Sequence, residues 1–517
     1  MTFEIVFVLL SLLGMVAALI ADKMRPGMIL FSVVVLFLCA GILTPKEMLE
    51  GFSNKGMITV ALLFLVSEGI RQSGTLGQVI KKLLPQGKTT VFKAQLRILP
   101  SVAFISAFLN NTPVVVIFAP IIKHWAKSVN LPATKFLIPL SYVTILGGIC
   151  TLIGTSTNLV VHGMILEAGF EGFSMFELGK VGIFIAIAGI IYIFLFSKRL
   201  LPDARPDTAV PDEEVEEGEK LHRVEAVLGA RFPGINKKLK DFNFQRHYGA
   251  EVKEIKTRNG QRFVSNLEEV VLHEGDTLVV MADDTFIPTW GESSVFVLLT
   301  NGNEPDTTGK KKRWFALLLL VLMIVGATVG ELPVTKEMFP DIKLDMFFFV
   351  SITTIIMAWT NLFPARKYTK YISWDILITI ACAFAISKAM VNSGVADSVA
   401  KFIIGLSDDY GPHVLLAMVF IITNLFTELI TNNAAAALAF PLALSISAQL
   451  GVSPTPFFVV ICMAASASFS TPIGYQTNLI VQGIGNYKFT DFVRIGLPLN
   501  IITFLISVFL IPLIWPF

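Results

Sequence analysis

The sequence predicts an all-α polytopic membrane protein, built from two inverted repeats and carrying one small cytoplasmic α+β domain. Three observations predict it. The 517 residues are 54% hydrophobic and only 15% charged, against roughly a quarter charged in an ordinary soluble domain. Apolar runs recur at 4–21, 28–43, 57–67, 136–153, 181–196, 314–329, 346–359, 373–391, 414–426, 456–465 and 495–515, many of them near the roughly 20 residues a bilayer-spanning helix needs. Two polar motifs in the first part of the chain return in the second at almost constant spacing.

The first membrane block is expected over 1–198. It opens "MTFEIVFVLL", with Glu4 where a basic leader would stand, so it reads as a retained helix and not a cleaved signal. Cys39, Cys150, Cys382 and Cys462 lie in or beside apolar runs, form no CxxC pair, and read as free thiols packed like small apolar residues. The net charge of +2 implies no acidic or basic macromolecular partner, nucleic acid included. Lys198-Arg199 closes one apolar run and Lys310-Lys311-Lys312-Arg313 opens another. The positive-inside rule then places 199–312 in the cytoplasm of a cell (plasma or inner) membrane protein.

That insert begins "PDARPDTAVPDEEVEEGE", a Pro-rich acidic linker. "RVEAVL" then alternates like a strand, "GINKKLKDFNFQRHY" fits a short helix, two strands flank Asn259-Gly260, and "EGDTLVVMAD" is a turn and strand. Residues 219–300, chiefly "VEAVL", "NKKLKDFNF" and "GDTLVV", resemble the RCK C-terminal (TrkA-C) domain. That resemblance implies a module answering to a small regulatory ligand. It contains no GxGxxG and so no complete dinucleotide-binding unit.

The second membrane block is expected over 313–517. "GTSTNLVVHG" (154–163) aligns without gaps on "GYQTNLIVQG" (474–483), and "SAFLNNTPVVVIFAP" (106–120) on "TELITNNAAAALAFP" (427–441). Each pair reads as a re-entrant hairpin with a polar tip (98–122 and 413–449) followed by a broken helix (136–168 and 456–486). Non-helical backbone at membrane depth is tolerated only inside protein or beside a wet cavity. Broken helices at matching places in two repeats mark a transporter's binding site. Pro113 suits the first turn of a restarted helix, and Asn111, Thr112, Asn158 and Asn478 are capping types. The tips and breaks supply neutral oxygens from Ser106, Asn110, Asn111, Thr155, Thr157, Thr427, Thr431 and Asn432, which suit a hard cation such as Na⁺. No Lys or Arg stands in any of the four, so an anion there would be held by helix N-termini and by Na⁺. Glu428 either relays protons or accepts hydrogen bonds that fix its hairpin. Glu68 and Lys388 are expected to snorkel, His162 to make an ordinary hydrogen bond, and His124 to be interfacial.

These tips resemble the paired Ser-Asn-Thr motifs of the divalent anion:sodium symporter (DASS, INDY-like) family, and the breaks its Gly-Thr-Pro-Pro-Asn loops, over both membrane blocks. The resemblance implies one Na⁺ site from Ser106, Asn110, Asn111 and Gly154. It implies a second from Thr427, the Ile430 carbonyl, Asn432 and Gly474. It implies substrate contacts from Asn111, Thr112, Thr155, Thr157, Asn432, Asn433 and Thr477. It also implies a homodimer and an elevator-type symporter of sulfate or a C4-dicarboxylate, with Na⁺ as the co-transported ion and no organic cofactor. Asn110, Asn433, Ser156-Thr157, Tyr475 and Gln476 depart from the family pattern, and the more polar loops lean toward a compact oxyanion. A Na⁺/H⁺ antiporter or inorganic anion exporter shares the inverted-repeat plan. An RCK-gated channel would need a TVGYG filter that "PIGYQ" lacks. No hydrolase, zinc-protease or P-loop pattern points to an enzyme.

Overall fold

A computed structural model describes residues 3–21, 24–203, 222–229, 232–257, 261–283, 286, 290, 295–300, 310–405 and 411–517. The linker from 204 and the turn at Asn259-Gly260 lie outside the described residues. The helices of nine residues or more fall into two matching sets. The first comprises α1 (Phe3–Ala21), α2 (Pro26–Cys39), α3 (Lys55–Gln72), α4 (Thr75–Leu83), α5 (Val91–Ser106), α6 (Asn111–Ser128), α7 (Leu137–Gly148), α8 (Ser156–Glu167) and α9 (Gly179–Leu200). The second comprises α10 (Lys310–Gly330), α11 (Met346–Trp359), α12 (Trp374–Asn392), α13 (Val395–Gly405), α14 (Gly411–Leu429), α15 (Asn432–Leu450), α16 (Thr455–Ser466), α17 (Gln476–Gly485) and α18 (Phe489–Ile514). Eight helical segments among the described residues are long and apolar enough to cross a membrane.

Local chemistry sets the matching boundaries. α3 and the first helix of its counterpart pair, α12, both stop at Ser-Gly, where Gly74 (φ 69°) and Gly394 (φ 75°) take the left-handed conformation that closes a helix without a Cβ clash. Pro120 and Pro441 sit inside α6 and α15 at equivalent places, each removing one backbone donor. The halves then pack by exchange. α2 lies against α12 while α11 lies against α3, and α6 lies against α17 while α15 lies against α8. Each half therefore completes the other, and the tips and breaks meet at a seam that is buried at Ser106, Asn111, Gly154, Thr155, Thr427 and Gly474.

The polar insert folds on a five-stranded antiparallel sheet ordered β3-β2-β4-β1-β5, with β1 His222–Leu228, β2 Glu251–Lys256, β3 Arg262–Phe263, β4 Thr277–Ala282 and β5 Phe296–Thr300. β5 was not legible as a strand. The expected helix over 234–248 shrinks to a 3₁₀ turn at Leu239–Asp241 and one helical turn at Phe244–Tyr248. Strand alternation divides the sheet's faces. Val224, Ala226, Leu228, Leu278 and Val280 pack with Phe232, Phe244 and Tyr248 in a separate core. On the other face Val227 joins the core of the helical body, and Glu225 meets Lys123 of α6 at 2.9 Å and Lys256 at 3.4 Å.

Candidate functional site

α5 stops at Ser106 and α6 begins at Asn111; α14 stops at Leu429 and α15 begins at Asn432. The helices expected to break do so between Gly148 and Ser156 and between Ser466 and Gln476. One set of bonds braces each break against the neighbouring tip, at equivalent residues. The Thr151 hydroxyl donates to the Ala107 carbonyl, and Thr471 to the Glu428 carbonyl at 3.2 Å. The same hydroxyls accept from the Gly154 and Gly474 amides at 3.1 and 3.3 Å. Asn158 and Asn478 reach back seven residues to the carbonyls of Thr151 and Thr471, at 2.8 and 3.1 Å. The two asparagines therefore do not cap the restarted helices. The cap positions belong to Thr155 and Tyr475, neither of which makes a side-chain cap bond.

Around the first tip, Ser106 donates to Asn111 Oδ1 at 2.8 Å. A Cβ built on Gly148 would stand 2.7 Å from that oxygen and 3.1 Å from the Gly154 carbonyl, so both oxygens face the same glycine. Ser106, Asn111 and Gly154 are thus brought together and buried. Asn110 departs from its expected place. It is the N-cap of α6, and its Oδ1 accepts from the Thr112 amide at 3.4 Å.

The second tip differs. A Cβ on Gly474 would lie 2.5 Å from the Thr427 carbonyl and against Ser468 Oγ. Ser468 donates to that carbonyl at 3.4 Å, and the Thr427 hydroxyl donates to Ala465 O at 2.6 Å. Thr427, Gly474 and the unforeseen Ser468 form the cluster, while Asn432 Oδ1 accepts from the adjacent Asn433 amide at 3.1 Å. Ile430 lies in the gap between α14 and α15, as does Thr431. Glu428 accepts from the Ser470 amide at 2.9 Å and from Asn500 Nδ2 at 2.8 Å, the bonds of a group that fixes its hairpin.

Between the tips the halves bond to each other. Asn111 Nδ2 donates to Tyr475 Oη at 2.6 Å, and Thr155 Oγ1 lies 3.0 Å from the same oxygen. Thr112 donates to Gln476 Oε1 at 3.3 Å. Its equivalent is the bond from Ser156 to Asn433 Oδ1 at 3.2 Å, which Thr157 joins at 3.3 Å. These bonds connect the first residues of α6, α8, α15 and α17, so four helix N-termini converge on one polar layer. Thr477 stands apart from that layer. It accepts from Ser141 of α7 at 2.8 Å. Pro113 lies in the first turn of α6, as expected.

Two smaller expectations change. Glu68 does not snorkel but pairs with Arg71 at 2.7 Å and accepts from Gln72. Among the described residues, His162 Nδ1 is buried without a hydrogen-bond partner, and so are both amide atoms of its equivalent, Gln482. Sequence reading also missed Thr151, Thr471, Ser141 and Ser468. For the first two the signal was present, because "TLIG" and "TPIG" keep the 320-residue spacing of the motif they precede.

A sequence profile of the citrate transporter family (CitMHS) matches residues 16–451, and again 342–517. The chain belongs to the citrate transporter family. It is 30% identical to the Synechocystis protein "Uncharacterized transporter sll0640" over 93% of this chain and 92% of that one. It is also 30% identical to Chlamydomonas reinhardtii "Sodium/sulfate cotransporter 2" over 56% of this chain and 32% of that one. It is 25% identical to the "Sodium-dependent dicarboxylate transporter SdcS" of Staphylococcus saprophyticus over 29% of each. These relatives support the kinship with divalent anion:sodium symporters expected from the motifs. This member of the family is an integral membrane transporter and not an enzyme.

Proposed function

We propose that the chain is a sodium-coupled symporter that imports a small divalent anion, sulfate or a C4-dicarboxylate, by an elevator-type movement. The observation that carries this reading is the convergence of four helix N-termini on a polar layer with neutral side chains, buried at Asn111, Thr155, Thr157 and Asn433 and open at Gln476. The first turns of α8, α15 and α17 receive no side-chain cap, apart from the local Asn432 bond. Amides left without intrahelical partners bind anions. The hydroxyls of Thr112, Thr155, Ser156 and Thr157 can rotate from their cross-half acceptors to a bound oxyanion. No Lys or Arg occurs in the tips or breaks. Two oxygen clusters beside the layer, at Gly148 and at Gly474, supply the balancing positive charge when each takes Na⁺. Relatives named as sodium/sulfate and sodium-dependent dicarboxylate transporters support the same cargo. Glu428 is committed to Ser470 and Asn500, which disfavours an antiporter built on its titration.

Residues 1–198 and 313–517 form the two inverted repeats in this reading, with re-entrant tips and a homodimeric assembly in a plasma or inner membrane. Residues 199–312 are a cytoplasmic RCK C-terminal-like regulator answering to a small ligand. Its docking face supports that role. Glu225 holds Lys123 on α6, and the Gly275–Thr277 turn lies on Leu479 and Gly483 of α17. The module thus grips one helix from each half, both starting at the site. Deleting 205–308 leaves measurable basal transport if the module only regulates; a folded deletion protein with no uptake under any condition would show that it does more. A competition screen in proteoliposomes tests the function itself, with sulfate, thiosulfate, succinate, citrate and phosphate, each with and without Na⁺. Inhibition by divalent anions only when Na⁺ is present is expected. Ion conduction without any anion would overturn the proposal.

A further inference from the structure

Where the first half places Thr155, the second places Tyr475. This is the largest side-chain difference between the two breaks, and it points inward. Tyr475 is 7% exposed. Its ring starts at the N-terminus of α17 and crosses to the opposite half. There its hydroxyl accepts from Asn111 Nδ2 at 2.6 Å and lies 3.0 Å from Thr155 Oγ1. Asn111 in turn accepts from Ser106 through Oδ1. The chain of bonds therefore runs from the first oxygen cluster, Ser106 to Asn111 to Tyr475, and ends at Thr155. Because Asn111 already donates to Tyr475 Oη, the phenol proton is free to go to Thr155 Oγ1, which leaves the Thr155 proton for a ligand.

We infer that Tyr475 is a specificity-determining residue that restricts the site to a compact tetrahedral oxyanion and excludes longer dicarboxylates. The inference rests on the anion-symporter reading above. A C4-dicarboxylate carries two carboxylates separated by two methylenes, so it needs a donor cluster at each end. The Tyr475 hydroxyl stands between Asn111 and Thr155 and takes up both groups, where one of those ends would bind. A tetrahedral dianion needs one cluster only, for which the hydroxyls of Thr112, Thr155, Ser156 and Thr157 at the first tip and break are available. The phenol hydroxyl also satisfies Asn111 Nδ2, which would otherwise be a buried donor without a partner.

The test uses the full-length protein in proteoliposomes, with sodium-driven uptake of labelled sulfate and labelled succinate measured side by side. The wild type is expected to prefer sulfate. Tyr475→Thr, which copies the first half, is expected to lower the sulfate-to-succinate ratio by about tenfold or more, as expected when a shape constraint is removed. Tyr475→Phe keeps the ring. It is expected to preserve the preference while weakening sulfate about threefold to tenfold, the effect of one hydrogen bond. An unchanged ratio in Tyr475→Thr, or a wild type that prefers succinate, overturns the inference and leaves the symporter reading standing. A wild type that moves neither anion with or without Na⁺ overturns the symporter reading itself. If Tyr475→Thr does not fold, Tyr475→Phe decides, because succinate uptake equal to its sulfate uptake would show that the ring is no barrier.

Discussion

The two half-sites descend from one motif, yet they hold their oxygens differently. The bracing is the same in both: Thr151 and Thr471 join break to tip, and Asn158 and Asn478 tie each restarted helix back to its own break. The lining is not. The first half has Gly147-Gly148 where the second has Ala467-Ser468. The glycines let the tip come close and turn the Asn111 amide inward, whereas Ser468 supplies its own hydroxyl and Asn432 bonds to its neighbour's backbone. Duplication thus preserved the frame and released the contents. Two oxygen clusters of different make-up beside one polar layer are what such a division produces.

Substitutions at equivalent positions probe the difference between the half-sites. The largest effect is expected at Gly147, where a Cβ would stand 2.0 Å from the Ala103 carbonyl oxygen. Gly147→Ala should destabilise the protein by about 3 kcal/mol or more, whereas Ala467→Gly should cost about 1 kcal/mol; thermal unfolding in detergent compares them. Next come the tip asparagines. Asn111→Ala and Asn432→Ala are both expected to abolish uptake in well-folded protein. Sodium binding, read as Na⁺-dependent thermal stabilisation, should weaken more in Asn111→Ala, by about tenfold, because it removes two hydrogen bonds of a buried side chain where Asn432 has one. Normal uptake by the double variant would remove both tips from the site. Thr151→Val and Thr471→Val should then cost the same, about 1 kcal/mol each; clearly unequal melting shifts would show that the frame is not shared.

The smallest effect concerns the docked module. Burial works against the charge on Glu225, but Lys123, Lys256 and Arg223 outweigh it and hold its carboxyl down at about 2, below the ordinary 4.5. With the folded value depressed, its contribution is complete above the unfolded value and is lost as pH falls from about 4.5 toward 2. Limited proteolysis should therefore find the module equally docked from pH 8 to pH 5. Glu225→Gln should loosen it throughout that range.

Much of this architecture was legible because duplicated polar residues in an apolar background cannot be accidental packing. The tips, the breaks and most oxygen donors follow from "NNTP", "TNNA", "GTSTN" and "GYQTN". What escaped depends on how the halves meet. Tyr475 could be seen to be bulky, but its reach into the other half depends on the packing of α17 against α6. Ser468 replaces a glycine in the alignment, and only the fold sets it beside the Thr427 carbonyl. The asparagines after each break look like caps, yet the helix restarts two residues earlier and frees them to brace the loop. In the insert, "NKKLKDF" has helical composition, but Lys238 pairs with Val271 in an isolated bridge and stops a helix there.

We propose that the two unlike oxygen clusters bind Na⁺ and work together with one anion layer. Uptake of labelled sulfate into proteoliposomes, titrated with Na⁺ at fixed membrane potential, tests it most directly. Uptake is expected to saturate in both sulfate and Na⁺ and to rise with more than one Na⁺, and to vanish in Asn111→Ala and in Asn432→Ala. Uptake indifferent to Na⁺ in the wild type would contradict it.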